Sequence, residues 1–141
     1  MKENSYFVDT NIFLRPIVKD SQKAAQECKE LFQKIRASEI NTFTSNLVLV
    51  EIHWVLKRFY QLKKGDLLKI LKGIYKFKHL KIENKQNMGK ALELYEKHSV
   101  KLVDAIIASH PRVLSKEVII ISYDKDFDKL GVLRKEPKDL L

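Results

Sequence analysis

The chain has 141 residues, 45% of them apolar, and its 27 Lys and Arg exceed its 18 Asp and Glu for a formal charge of +9. Three prolines, four glycines and a single cysteine, Cys28, exclude a low-complexity chain and any internal disulfide. The strongest apolar run, roughly 47 to 56, falls well short of the ~20 residues of a membrane span.

These bounds lead to one domain over residues 1–141, undivided by any linker. The lone thiol suits a reducing cytoplasm, and the N-terminus, Met1-Lys2-Glu3-Asn4, passes into a short apolar segment that lacks the length and cleavage site of a signal peptide. A cytoplasmic protein without a membrane partner is expected. The positive charge fits a polyanionic partner, and it also fits a lysine-rich composition with no such partner.

The first predicted element is a buried strand over Ser5–Val8, ended by Asp9-Thr10-Asn11. Helical spacing of Ala24, Ala25, Cys28, Leu31, Phe32 and Ile35 predicts a helix from Ser21 to Ala37, with Ser21 as N-cap. Residues 41–44 favour a strand, and Ser45 can cap a helix from Leu47 to about Phe59 with Leu47, Val50, Trp54 and Val55 on its inner face. An amphipathic segment follows from Asp66 to Phe77, then a strand over 80–82 and a helix over 84–98. A further helix is expected from Val103 to Leu114 with Pro111 as an interruption. Val118–Ile121, four β-branched residues in succession, is the clearest buried strand, and a short helix over 125–130 and a tail complete the chain.

Strands alternating with helices predict a three-layer α/β/α arrangement around a central, mainly parallel sheet, whose ligand crevice lies at the carboxyl ends of the strands. Four carboxylates sit in or beside apolar runs: Asp9, Glu51, Asp104 and Asp124. An ionised carboxylate out of water costs several kcal/mol unless it is paired, hydrogen-bonded or metal-bound. Two of the four end predicted strands and two lie on helices that can reach the same rim. One divalent-metal site accounts for all of them.

Taken singly, each acid also has an ordinary reading. Asp9 can be a turn residue, Glu51 an exposed helix residue paired with a lysine, Asp104 an N-cap, and the Asp124, Asp126, Asp128 series a solvated loop. The four histidines show no paired-ligand spacing, Cys28 falls on an apolar helix face, and no glycine-rich phosphate loop is present. Lysines cluster at 57–64 and 72–81, and Arg15 is the basic residue nearest Asp9 in the chain.

The series Val8-Asp9-Thr10-Asn11, Ser45 with Glu51, Asp104-Ala105-Ile106-Ile107-Ala108 and Ser122-Tyr123-Asp124-Lys125-Asp126-Phe127 resembles the PIN domain, a family of metal-dependent ribonucleases that includes VapC-type toxins. The resemblance covers essentially the whole chain, with Ser122 where the family more often has Thr, and His110-Pro111-Arg112 interrupting a usually more regular helix. It implies a catalytic quartet of Asp9, Glu51, Asp104 and Asp124. Metal ligation, of one or two Mg²⁺ or Mn²⁺ ions, would fall to Asp9, Asp104, Asp124 and the less constant Asp126, and Asn11, Ser45 and Ser122 would orient the acids. Also implied are an RNA substrate, cleavage to 5′-phosphate and 3′-hydroxyl ends, a small antitoxin partner and a homodimer, for which the hairpin from Leu47 to Phe77 is the expected surface. Two alternatives stay open: a non-catalytic α/β interaction module, and a housekeeping RNA-processing nuclease.

Overall fold

The computed structural model describes residues 4–141. Five parallel strands, β1 (Ser5–Val8), β2 (Asn41–Thr44), β3 (Leu80–Ile82), β4 (Val118–Ile121) and β5 (Arg134–Lys135), form one sheet in the order β3-β2-β1-β4-β5. Among the described residues, eight helices cover it in a three-layer α/β/α arrangement: α1 (Thr10–Val18), α2 (Gln22–Arg36), α3 (Asn46–Tyr60), α4 (Lys64–Tyr75), α5 (Met88–Lys97), α6 (Leu102–Ala108), α7 (Pro111–Leu114) and α8 (Asp126–Lys129).

β1 lies at the centre, with Phe7 registered against Phe43 of β2 and Ile120 of β4. Both central strands are buried along their whole length, as their unbroken apolar sequences require in a sheet covered on both faces. The strand order reverses between β1 and β4. At such a switch point the two connections leave in opposite directions, and a crevice opens above the strand ends. Asp9 and Ser122 are the residues that follow those two strands.

The helices depart from the sequence expectation in physically readable ways. Helix α1 was not anticipated, because Pro16 stands inside it and removes a backbone donor; the helix ends two residues later, with Lys19 left-handed. The expected helix over 103–114 is two helices, since Pro111 holds His110 in an extended conformation (φ −58°, ψ 128°) that cannot continue α6. Helix α5 starts at Met88 rather than 84: Asn87 Oδ1 caps it by accepting from the Lys90 amide at 3.0 Å, while Asn84 is spent on the Asn46 amide at 2.8 Å.

The largest correction concerns α3. Its buried stripe is Val48, Ile52 and Leu56, whereas Val50 and Trp54, expected inward, are 63% and 53% exposed. The stripe of i, i+4, i+8 residues is as good a helical pattern as the expected one, and only the position of the sheet selects between them. Two elements past residue 130, strand β5 and a 3₁₀ turn at Pro137–Leu140, are too short to show a period.

Candidate metal centre

The end of β1 is fixed by the ladder itself, the Asp9 N–H donating to the Ile121 carbonyl at 3.1 Å. Its carboxylate is then held by Ser122, which arrives from across the switch point, and by Asn11, two residues further along the chain. Ser122 Oγ donates to Asp9 Oδ2 at 2.6 Å, and Asn11 Nδ2 contacts both Ser122 Oγ (3.2 Å) and Asp9 Oδ2 (3.4 Å). The same Ser122 hydroxyl accepts from the Asp124 amide at 3.0 Å, so one residue joins the end of β1 to the loop after β4.

That loop folds on its own acids. Asp124 Oδ1 accepts from the Asp126 amide at 2.9 Å, an Asx turn that sets both carboxylates on one side. From behind, Arg134 of β5 donates to the Ser122 carbonyl at 3.0 Å and forks onto Asp128 with bonds of 3.0 and 3.1 Å. Helix α6 enters from the other side with Asp104 in its first turn, 3% exposed.

Asp104, Asp124 and Asp126 each present a carboxylate oxygen, and these three atoms lie within 4.8 Å of one another. Asp104 Oδ2 is buried and accepts no hydrogen bond from an amide, hydroxyl or ammonium; its hydrogen-bonding neighbour is the Asp124 carboxylate, a contact that requires a proton on Asp104 and that the ionised pair cannot make. A buried acceptor left unsatisfied costs free energy that a bound cation returns. Three hard carboxylate donors, one of them on a buried acid with an unsatisfied oxygen, are the donor set that Mg²⁺ and Mn²⁺ take, so the residues present fit the ion that the sequence resemblance implies.

Asp9, Thr10, Asn11, Leu14, Glu51, Val55, Lys101, Asp104 and Asp124 line a single crevice of about 170 Å³. Glu51 and Val55, one turn apart on α3, form its wall. All four acids of the expected quartet therefore meet. Asp9 stands outside the tight group of three, engaged by Ser122 and Asn11, while Asp126, expected as the less constant member, is inside it. Asn11 and Ser122 make the hydrogen bonds expected of orienting residues. Ser45 makes none: its Oγ is buried without a partner, and its carbonyl starts α3 by accepting from the Val48 and Leu49 amides.

Burial sets the electrostatics. It raises the Asp9 carboxyl to about 6 against the bonds from Ser122 and the Thr10 amide, with Glu51 and Asp124 adding repulsion. The Asp104 carboxyl rises to about 8, again mainly by burial, with Asp9 and Asp124 pushing further and Lys101 opposing. Asp124 goes the other way. Burial alone would raise it, but the Asp126 amide and Lys101 hold it below the usual carboxylate range.

Lys101 was not anticipated. Its Nζ lies 3.1 Å from Asp124 Oδ2 and 3.9 Å from Asp104 Oδ2. Its i, i+3 spacing to Asp104 was a readable signal; the closer contact, to Asp124, exists only once the chain is folded. Arg15, the basic residue nearest Asp9 in sequence, turns away instead, pairing with Asp20 at 3.5 Å and stacking 5.2 Å from the centre of the Tyr123 ring.

Among solved structures, the chain resembles the crystal structure of VapBC2 from Rickettsia felis bound to a DNA fragment from their promoter. The match has a TM-score of 0.63 at 18% identity and covers 94% of this chain and 98% of that one, a likeness of fold. No curated protein sequence matches. A family profile described as PIN domain matches residues 6–133, and with the strand order and the meeting of acids at the switch point this places the chain in the PIN domain family.

Proposed function

We propose that this chain, acting as one domain, is an endoribonuclease that hydrolyses RNA phosphodiester bonds with Mg²⁺ or Mn²⁺, and that it is the toxin of a toxin–antitoxin pair. PIN domains are in general nucleases. The observation that carries the reading is the close approach of the Asp104, Asp124 and Asp126 carboxylates beside the crevice at the carboxyl ends of the strands, with Asp104 buried there.

Asp104, Asp124 and Asp126 would hold the ion, with Asp9 as a fourth ligand reached directly or through water. A divalent ion bound there supplies Lewis-acid polarisation of the phosphate and an activated water. Ser122 and Asn11 keep Asp9 aimed inward, and Glu51 on the crevice wall faces the space left for the attacking water and the scissile phosphate. The excess of 27 basic over 18 acidic residues favours association of the protein as a whole with an RNA backbone.

The toxin reading is supported by the neighbour, a VapBC2 complex. For this chain we propose a small antitoxin and a second copy of itself as partners, the copy docking on the α3–α4 face, where Val50 and Tyr75 are 63% and 68% exposed and Leu49, His53 and Leu71 complete an apolar groove of about 360 Å³. Light scattering of the purified chain reads the dimer directly.

The test of the activity is cleavage of a mixed single-stranded RNA with and without EDTA, beside an Asp104→Asn variant checked by circular dichroism. Metal-dependent cutting that the folded variant lacks supports the nuclease and the site together. Equal cutting by both overturns the assignment of the site, and no cutting by either moves the reading to a non-catalytic interaction module.

A further inference from the structure

The acid cluster carries its own cations. Lys101 Nζ sits 3.1 Å from Asp124 Oδ2 and 3.9 Å from Asp104 Oδ2, and Lys129 Nζ sits 3.1 Å from Asp126 Oδ1. All three carboxylates that converge on one point are thus in reach of an ammonium. The two lysines come from different elements, the N-cap of α6 and the last residue of α8.

Lys101 is not explained by the helix it begins. Its side chain makes no capping hydrogen bond, and a cation is the wrong sign for a helix N-terminus, where the exposed amides favour negative charge. The side chain is 65% exposed, so it crosses open solvent to deliver its charged tip to the crevice. An ammonium there supplies the positive charge the acids lack. It is an incomplete substitute, because Asp104 Oδ2, at 3.9 Å, remains without a hydrogen bond.

We propose that Lys101, seconded by Lys129, is the resident counter-ion of this cluster and competes with the divalent cation for it, so that metal loading is an exchange of ammonium for metal. The inference rests on the metal-site reading above. The ammonium and the ion are drawn to the same oxygens of Asp104 and Asp124, and two cations held that close repel; the lysine must swing outward, which its exposure permits. Lysine suits this task better than arginine would, being a compact charge on a flexible stem with no planar fork to lock it in place.

The experiment is titration of the metal-free protein with Mn²⁺ alone, without RNA, followed by calorimetry and by the thermal midpoint. In Lys101→Met the dissociation constant for Mn²⁺ is expected to fall roughly ten-fold, as removal of a neighbouring unit charge implies. The metal-free midpoint should drop and the rise on adding Mn²⁺ should grow. Lys101→Gln repeats the measurement with a polar side chain in case Met disturbs folding. Lys116→Met, which removes the same charge just before β4 and so at the opposite end of the strand from Ser122, should leave the affinity within about two-fold. If Lys101→Met and Lys101→Gln bind Mn²⁺ no better than Lys116→Met, the exchange is overturned while the metal site stands. Failure of wild type and variants alike to bind Mn²⁺ overturns both.

Discussion

The two halves of the crevice are built on opposite principles. On the β1 side, Asp9 is satisfied: Ser122 donates to it at 2.6 Å, Asn11 approaches at 3.4 Å, and the ladder holds its backbone. On the α6 side, Asp104 is equally buried, yet one oxygen has no hydrogen-bond partner, and the charges around it belong to two other acids and a lysine on a long stem. The β1 half has its hydrogen bonds from folding alone, although burial still raises its carboxyl. The other half is left short of donors, and the proposed metal site would draw on both: a rigid acid to fix position and an unsatisfied one to supply affinity.

The contrast is broken most directly at Asp104. Asp104→Asn is expected to lower cleavage by roughly a thousand-fold, about 4 kcal/mol in the transition state, while making the metal-free protein more stable at pH 8, since a neutral amide removes a buried charge. Activity assays and thermal melts on one preparation check both signs. A variant that loses activity and stability together would mean that Asp104 was satisfied after all.

The pH dependence of the metal-free fold is the next largest effect. Asp9 and Asp104 have folded values raised to about 6 and about 8 from an ordinary 3.8. A raised acid holds its proton more tightly folded than unfolded, so its favourable contribution is complete below the unfolded value and is lost as pH rises through the folded one. Chemical denaturation should therefore show metal-free stability falling by on the order of 3 kcal/mol between about pH 5 and pH 8. Asp124, held low, contributes in the opposite sense, its stabilisation vanishing only as pH drops below the ordinary carboxylate range. Saturating Mg²⁺ should flatten the slope above pH 5, and a slope that persists with metal would place the titrating groups elsewhere.

The β1 half is sharpened by Ser122→Ala. Loss of the hydroxyl frees Asp9 and the Asp124 amide together, and cleavage should fall about 10- to 100-fold with Mn²⁺ affinity reduced in step, because groups that orient ligands carry effects of that size. Ser122→Thr keeps the hydroxyl and should restore most of it. The smallest effect is expected at Ser45→Ala, which deletes an unpartnered hydroxyl; stability should change by less than about 0.5 kcal/mol and cleavage by less than about two-fold.

Much of this was legible before folding. The four β-branched residues Val118–Ile121 read as a buried strand, and strand ends in an open α/β sheet face the crevice, which is why Asp9 and Asp124 could be placed at its rim from pattern alone. Glu51 was identified although the inward face of its helix was not. Both candidate stripes of α3 repeat at helical spacing; Glu51 lies between Leu47 and Val55 of the expected one and on the flank of the observed one, so the error in face did not reach the acid. What the residues could not disclose depends on distance through space. Lys101 meets Asp124 across 23 positions of chain, Asn11 meets Ser122 across 111, and β5 is two residues long. Ser45 shows the reverse failing: a hydroxyl in the expected position that bonds to nothing in the crevice.

Arg134 has a practical consequence. The family profile stops at residue 133, one position before the guanidinium that grips the Ser122 carbonyl and Asp128. An expression clone trimmed to that boundary would retain every acid of the crevice and discard the brace behind the loop bearing Asp124 and Asp126. Assayed in that form, the protein would lack the Arg134 contacts to Ser122 and Asp128, so a negative result would say as much about the clone's end as about the proposed activity.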